Sequence, residues 1–262
     1  MISRSQVPVR SHARGIAVLG ALVIAAAACA DVSVAPGHAA AVALDSVMAP
    51  SVVAGDSLRD TLGIARPMYG TAYDGSGHII TGFPLRFRAL DSGIVIDSTT
   101  GYIVGDTARS TPIRLLIDAV GLQTPIVQLY VVPRPDTLSA VTGDTSITYS
   151  VTDTSAVFSP ELQVLLQHDS AGTLSPVQAY VVSYAITYPA DTTVAQLVNR
   201  SGRTSFVDTT GSNGVAGRSI RIRPLHLSAT TDSVVVLASA KYRGALVAGS
   251  PIRLVLHVAP NQ

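Results

Sequence analysis

The chain has no tryptophan, a single cysteine and few charged residues, which make up 13% of its 262 positions. One cysteine excludes an internal disulfide, so packing must hold the fold together. Arg4, Arg10 and Arg14 precede the first apolar run. The rest of the chain contains 15 basic and 17 acidic residues, which gives a net charge of −2. This balance excludes long-range attraction to nucleic acid. A hydrophobic content of 47% excludes a disordered chain.

The N-terminal apolar run is too short to span a membrane. It covers Gly15–Ala28, 14 residues, whereas a membrane-spanning helix needs about 20 and the apolar part of a secretory signal has about 7–15. Arginines precede the run and small residues end it. Residues 1–28 are therefore predicted to be a signal peptide.

The cysteine stands directly after that run, in Ala26-Ala27-Ala28-Cys29. These residues resemble the lipobox of bacterial lipoproteins, although that pattern prefers leucine where Ala26 stands. The resemblance implies cleavage before Cys29, lipid attachment to its thiol and anchoring in a membrane, with residues 29–40 as a tether. In the lipoproteins that these residues resemble, aspartate directly after the cysteine favours retention in the inner membrane; Ala30 stands there and Asp31 follows, so the resemblance implies the outer membrane, on its periplasmic or surface face. Ordinary secretion, with cleavage at an Ala-x-Ala site, is the alternative.

Beyond the tether, apolar and polar residues alternate with a period of two, which is typical of strands with one buried face. The alternation covers residues 85–89, 219–223 and 252–258, and residues 234–240 are almost continuously apolar, which predicts a central strand. Turns are predicted between these segments at Asp74-Gly75, Thr100-Gly101, Asn213-Gly214 and Arg243-Gly244. The pattern predicts an all-β sandwich or barrel.

Pro133-Arg134-Pro135 is the predicted boundary between two domains, because two prolines remove backbone donors and stiffen the connection. Residues 124–133 (TPIVQLYVVP) are similar to residues 250–260 (SPIRLVLHVAP). Each segment is predicted to be the closing strand of a domain. The domains would then cover residues 41–133 and 136–260.

Both predicted domains resemble the bacterial immunoglobulin-like (Big) domains of invasin- and intimin-type surface proteins. In the first domain the resemblance rests on residues 55–58, 74–77, 84–87, 95–97 and 100–101; in the second it rests on residues 176–177, 182–188 and 208–214. The resemblance implies two tandem immunoglobulin-like β-sandwiches used as spacers or binders. Many members carry tryptophan near the position of Phe87, and this chain does not.

Catalytic and metal-binding patterns are sparse. The histidines lack metal-ligand spacing, and no nucleophile elbow, phosphate loop or dinucleotide motif occurs. His168-Asp169 could be half of a catalytic pair, but its polar surroundings favour a turn. Residues 208–214 space their oxygens as in a calcium loop but lack the closing glutamate, which favours a hairpin. We therefore expect no catalytic residue, metal or cofactor.

Two groups of residues could bind a partner. Tyr180, Tyr184 and Tyr188 share strand parity and could form an aromatic stripe that binds sugars; packing inside the fold is the alternative, because Val182 and Ile186 share that face. Arg221, Arg223 and Arg253 could form a basic patch for an anionic partner. Solvated strand faces are the alternative for these arginines.

These patterns favour a non-enzymatic, lipid-anchored protein of the cell envelope that acts as an adhesion-type interaction or scaffold module. Its partners would be the membrane, through Cys29, and a protein or polysaccharide, but no nucleic acid. The alternative is a carbohydrate- or polymer-binding lipoprotein that assists a partner enzyme. A hydrolase with an unfamiliar catalytic set is a third interpretation.

Overall fold

The computed structural model describes residues 38–47, 49–153, 155–227 and 232–261, and these residues are almost entirely β-structure. The strands before residue 133 are β1 (Ala41–Ser46), β2 (Ser51–Val53), β3 (Tyr69–Tyr73), β4 (Ile79–Ile80), β5 (Arg86–Ala89), β6 (Ile94–Ile96), β7 (Ile103–Gly105), β8 (Ile113–Ala119), β9 (Leu122–Gln123) and β10 (Val127–Val132).

The strands after residue 135 are β11 (Thr137–Ala140), β12 (Thr145–Tyr149), β13 (Val157–Phe158), β14 (Leu162–Ser170), β15 (Thr173–Pro176), β16 (Val181–Tyr188), β17 (Ala195–Val198), β18 (Val207–Thr209), β19 (Val215–Ile222), β20 (Ser233–Ser239), β21 (Lys241–Tyr242), β22 (Ala245–Leu246) and β23 (Ile252–Pro260). A short 3-10 helix, Pro224–His226, precedes β20. Within the described ranges, no helix is long and apolar enough to cross a membrane.

The first half, residues 38–132, contains two main sheets. One has the order β1-β3-β4 and the other β2-β10-β8-β5, with β9 paired to β8. Strand β2 runs parallel to β10, with Val52 opposite Val131, whereas β8 is antiparallel to both β10 and β5. Strands β6 and β7 form a separate hairpin.

The second half, residues 136–261, repeats this arrangement with longer strands. One sheet has the order β11-β14-β19-β13, with β15 and β17 beside it, and the other has the order β12-β23-β20-β16-β18. Strand β12 runs parallel to the last strand, β23, as β2 does to β10. In each half the first strands divide between two sheets and the last strand pairs in parallel, which is immunoglobulin-like sandwich topology. The prediction of an all-β, immunoglobulin-like sandwich is confirmed.

Each half has its own hydrophobic cluster. Leu58, Ile103 and Leu115 are among the fully buried residues of the first cluster, and Leu166 and Ile220 are among those of the second. Burial of one such side chain contributes about 1.5–3 kcal/mol. Among the described strands, no pairing connects the two halves. Independent folding on either side of residues 133–135 stays a prediction.

Local sequence patterns match the observed strands. Phe87 is buried between the exposed Arg86 and Arg88, and β20, which contains most of residues 234–240, is the third of five strands in its sheet. Asp74-Gly75 joins β3 to β4, where the Asp74 amide donates to the His78 carbonyl over 2.9 Å. Each of these features depends on residues close together in the chain.

Candidate functional site

The two halves meet at a buried carboxylate, Asp56, which follows β2 and is 5% exposed. Arg59 donates to it twice, from Nε to Oδ2 over 2.9 Å and from Nη2 to Oδ1 over 2.8 Å. The Ser57 amide donates to Oδ1 over 2.8 Å. From the second half, Arg243 Nε donates to Oδ2 over 2.9 Å, across 187 positions of sequence. We call Asp56, Arg59 and Arg243 the clasp.

The clasp keeps its carboxylate ionised. Burial raises the pKa of Asp56, but the hydrogen bonds from Arg59, Arg243 and Ser57 outweigh it and hold that pKa well below its ordinary value of 3.8. Charge-assisted hydrogen bonds of this kind are stronger than neutral ones. Arg59 also donates from Nη1 to the Gly63 carbonyl over 2.9 Å, which fixes the loop beside the clasp.

That loop lies against the hairpin that carries Arg243. Arg243 and Gly244, between β21 and β22, have φ of 50° and 82°, as a tight two-residue hairpin turn requires. A methyl group on Gly63 would lie 2.1 Å from the Gly244 nitrogen. Glycine at position 63 therefore permits the direct backbone approach of the two halves.

Further contacts extend this junction. Val53 and Val132, at the ends of β2 and β10, pack with the hydrophobic cluster of the second half. Gln178 Nε2 donates to the carbonyl of Ser110 over 3.1 Å. The junction thus combines apolar packing, hydrogen bonds and one buried ion-pair network, which together restrict the orientation of the halves.

A cavity of about 280 Å³ lies beside the clasp and is lined by residues of both halves, including Val52, Asp56, Tyr180, Lys241 and Tyr242. The Tyr180 hydroxyl donates to the Lys241 carbonyl over 2.7 Å. The Arg243 guanidinium lies 5.3 Å from the centre of the Tyr242 ring, within cation–π distance. Burial, together with the negative charge of Asp56, raises the pKa of Tyr242.

The three tyrosines predicted as a stripe do not share one surface. Tyr184 is 2% exposed inside the second core, where burial raises its pKa. Tyr180 lines the cavity at the junction. Tyr188 is 41% exposed, because a bulge between Ile186 and Tyr188 interrupts the alternation of β16. The shared parity read from the sequence was wrong at Tyr188, and only Tyr180 reaches the candidate site.

The three predicted arginines are distributed over two sheets. Arg221 lies in β19 and Arg223 directly follows that strand, whereas Arg253 lies in β23 of the other sheet. Arg223 and Arg253 are exposed and Arg221 is half-buried. This placement fits the alternative interpretation, in which each arginine lies on a solvated strand face. A single basic patch stays a prediction without geometric support.

His168 and Asp169 lie near the end of β14, and the turn predicted for their polar stretch comes directly after that strand, at Ala171 and Gly172, where φ is 52° and 87°. The partner of His168 is instead Asp136, beside the connection between the halves. His168 Nδ1 lies 2.6 Å from Asp136 Oδ2. Burial raises the pKa of Asp136, but the hydrogen bonds from the Asp169 amide, Arg134 and His168 outweigh burial. The pKa of Asp136 is therefore lowered from its ordinary value.

Residues 208–214 contain the end of β18 and the turn that connects it to β19 in the other sheet. The Asp208 carboxylate lies 2.7 Å from Arg218 Nη1 and accepts from the Gly217 amide over 2.8 Å. The Thr210 hydroxyl donates to the Val177 carbonyl over 2.7 Å. These oxygens bind protein groups around the connection, which runs between two sheets and is not the hairpin that the alternative interpretation expected. In the described ranges, no group of three or more His, Cys, Asp or Glu side chains could hold a metal ion. Cys29 and residues 1–37 lie outside the described residues.

Sequence reasoning missed the clasp. Arg243-Gly244 was predicted only as a turn, and Asp56 only as part of the resemblance to immunoglobulin-like domains. No local pattern connects positions 56 and 243, because their contact depends on how the completed halves meet.

No family model matches the chain, and no curated protein matches it. Similar solved structures include the Yersinia pseudotuberculosis adhesin InvE, with 15% identity over 82% of this chain and 58% of that chain and a TM-score of 0.32. They include the surface layer protein SbsC, domains 4–9, with 14% identity over 86% and 32% of the two chains and a TM-score of 0.28. They also include a family 2 glycosyl hydrolase from Bacteroides cellulosilyticus, with 12% identity over 67% and 23% and a TM-score of 0.26. The chain spans 58% or less of the length of these three chains. At such low identities and TM-scores the similarities carry no functional argument, and the sheet topology identifies the fold.

Proposed function

We propose that the chain is a non-enzymatic protein of the cell envelope whose two immunoglobulin-like halves act as one rigid interaction or scaffold unit, anchored through a lipid on Cys29. The observation that carries this proposal is the clasp. A carboxylate with donors from both halves resists hinge motion more strongly than a bare linker, because bending exposes or separates a buried ion pair. A unit of fixed shape is what a spacer or adhesion-type module requires.

The rigidity of the unit can be tested with two spin labels, one in each half. Val95 and Leu174 are 67% and 52% exposed, so cysteines there, in a Cys29→Ser background, accept labels without disturbing a core. The distance distribution between the labels should be narrow, and Asp56→Ala should broaden it.

Asp91→Ala is the matched control. Arg114 binds Asp91 in the same two-pronged way, from Nε over 3.1 Å and from Nη2 over 2.9 Å, but both residues lie in the first half. This variant should leave the distribution narrow. A broad distribution in the unmodified protein would contradict the rigid-unit proposal.

The lipid anchor supports an envelope location and has its own test. Cys29→Ser should abolish lipid attachment and move the protein from the membrane fraction into the soluble fraction. Retention of the variant on membranes after a carbonate wash would contradict anchoring through this residue.

The alternative, a carbohydrate- or polymer-binding lipoprotein that assists a partner enzyme, draws support from one observation. Tyr180 and Tyr242 stand together in a concave site at the junction of the halves. Sites of this kind, mainly apolar with a few placed polar groups, are common where two domains meet.

A further inference from the structure

The cavity beside the clasp has apolar and aromatic walls. Val52 and Val53 contribute from the first half, and Val181, Tyr180 and Tyr242 from the second. Its volume of about 280 Å³ lies just below the range of about 300–1,000 Å³ of typical small-molecule sites. A cavity of this size accommodates one ring-sized group rather than an extended ligand.

The polar part of the lining consists mainly of hydroxyl groups. Ser183 and Ser239 both line the cavity, and they stand directly opposite each other on the neighbouring strands β16 and β20. A serine hydroxyl both donates and accepts hydrogen bonds. Two neighbouring serines in a cavity that also has aromatic walls match a sugar ring, which presents hydroxyls at its edge and C–H groups on its faces.

The cavity lining contains two carboxylates, Asp56 and Asp60, and two cations, Arg59 and Lys241, so its charges balance. Lys241, which is exposed and is the chain's one lysine, is the cation left without a carboxylate partner in the part of the chain that the structure describes. Among the described residues, no carboxylate oxygen lies within 4.0 Å of the Lys241 amine, because the acidic residues of the lining already have arginine partners: Asp56 binds Arg59 and Arg243, and Asp60 binds Arg66 over 3.2 Å. An anionic group on the ligand would complement this ammonium.

We propose that the cavity binds a uronic acid residue, that is, a sugar ring that carries a carboxylate. The carboxylate pairs with Lys241, the ring faces pack against Tyr242 and Tyr180, and the ring hydroxyls bond to Ser183 and Ser239. The ligand contacts come from the second half and Val52 and Val53 of the first half complete the walls, so this site rests on the proposed rigid unit.

Calorimetric titration of the full mature chain, carrying Cys29→Ser for solubility, tests the site with D-glucuronate as the probe. D-glucose, which lacks the carboxylate, should bind at least about tenfold more weakly, since the hydrogen bond to the charged lysine is lost. Lys241→Gln should weaken glucuronate binding by a similar factor, and Lys241→Arg should retain it. Arg86→Gln, which removes an exposed charge from β5 and lies outside the lining of the cavity, should change nothing.

The lone lysine provides a second readout. Amine-reactive acetylation of Lys241, followed by mass spectrometry, should be slowed by glucuronate and not by glucose. Equal affinity for the two sugars, or unchanged affinity in Lys241→Gln, would overturn the proposal. Absence of protection in a protein whose spin-label distances are narrow refutes the sugar site alone, whereas broad distances refute the rigid unit and the site together.

Discussion

Replacement of Gly63 by alanine tests the contact between the halves against a control inside one half. Gly63 and Gly77 have almost the same backbone conformation, with φ of +83° and +81°. Alanine in this left-handed region costs about 1–2 kcal/mol at either position. The two sites differ in their surroundings: a methyl group at Gly77 meets nothing within 4 Å, whereas at Gly63 it lies 2.1 Å from the Gly244 nitrogen and 2.7 Å from the Gly244 Cα.

The difference in unfolding free energy between the two variants therefore measures the cost of the steric clash at the junction. Backbone cannot move aside as a flexible side chain can, so Gly63→Ala should cost a further 1–3 kcal/mol or so, as overpacking does. For a chain of this size, each kcal/mol lowers the melting temperature by about 2–4 °C. If the clash separates the halves, a protease of broad specificity such as proteinase K should also cleave faster at the connection, where Arg134 is exposed.

Thermal unfolding and timed proteinase K digestion of Gly63→Ala, Gly77→Ala and the unmodified protein provide the measurement. Gly77→Ala should melt slightly earlier and be cleaved at the unmodified rate. Equal melting temperatures and equal cleavage rates for the two variants would refute the direct contact of Gly63 with Gly244, and with it the geometry of the clasp.

Three further predictions follow from the junction and the cores. Because the pKa of Asp56 is lowered in the folded state, the stability that its ionised carboxylate contributes is complete above the ordinary carboxyl pKa of 3.8 and is lost as the pH falls below that value. Urea unfolding between pH 5 and 2 should therefore show a smaller loss of stability in Asp56→Asn than in the unmodified protein, and equal losses would exclude a stabilising role for this carboxylate. Residues 41–133 and 136–260, expressed separately, should each fold with a β-rich circular dichroism spectrum but melt earlier than in the full chain, because Val53 and Val132 lose their packing partners; two insoluble fragments would contradict the division. EDTA should leave the melting temperature of the mature chain unchanged, and a fall reversed by calcium would make the connection at residues 208–214 a metal site.

The fold was predictable because its signals are local. Alternation around Phe87, the apolar run of β20 and the Asp74-Gly75 turn each depend on neighbours in the chain, and periodicity reports which face is buried. The similarity of residues 124–133 to residues 250–260 also has a structural counterpart, since β10 and β23 are the last strands of their halves and both pair in parallel with an early strand.

The candidate site was not predictable in the same way. Parity placed Tyr188 with Tyr180 and Tyr184, but one bulge in β16 changed its face, and nothing in the local sequence marks that bulge. His168 contacts the carboxylate of Asp136, 32 positions away, and not that of the adjacent Asp169. The clasp joins positions farther apart still, so it becomes visible only once both sandwiches are complete.

The parallel pairing of the last strand in each half also determines how the protein responds to tension. In the pairs β2–β10 and β12–β23 the early strand and the last strand lie side by side and run in the same direction. Force applied to the two ends of a half then pulls these strands in opposite directions along their length. The hydrogen bonds between them run across that direction, so they are sheared together instead of opening one after another. A chain tethered at its N-terminus and held at its far end would transmit a pull through two such shear-resistant pairs in series.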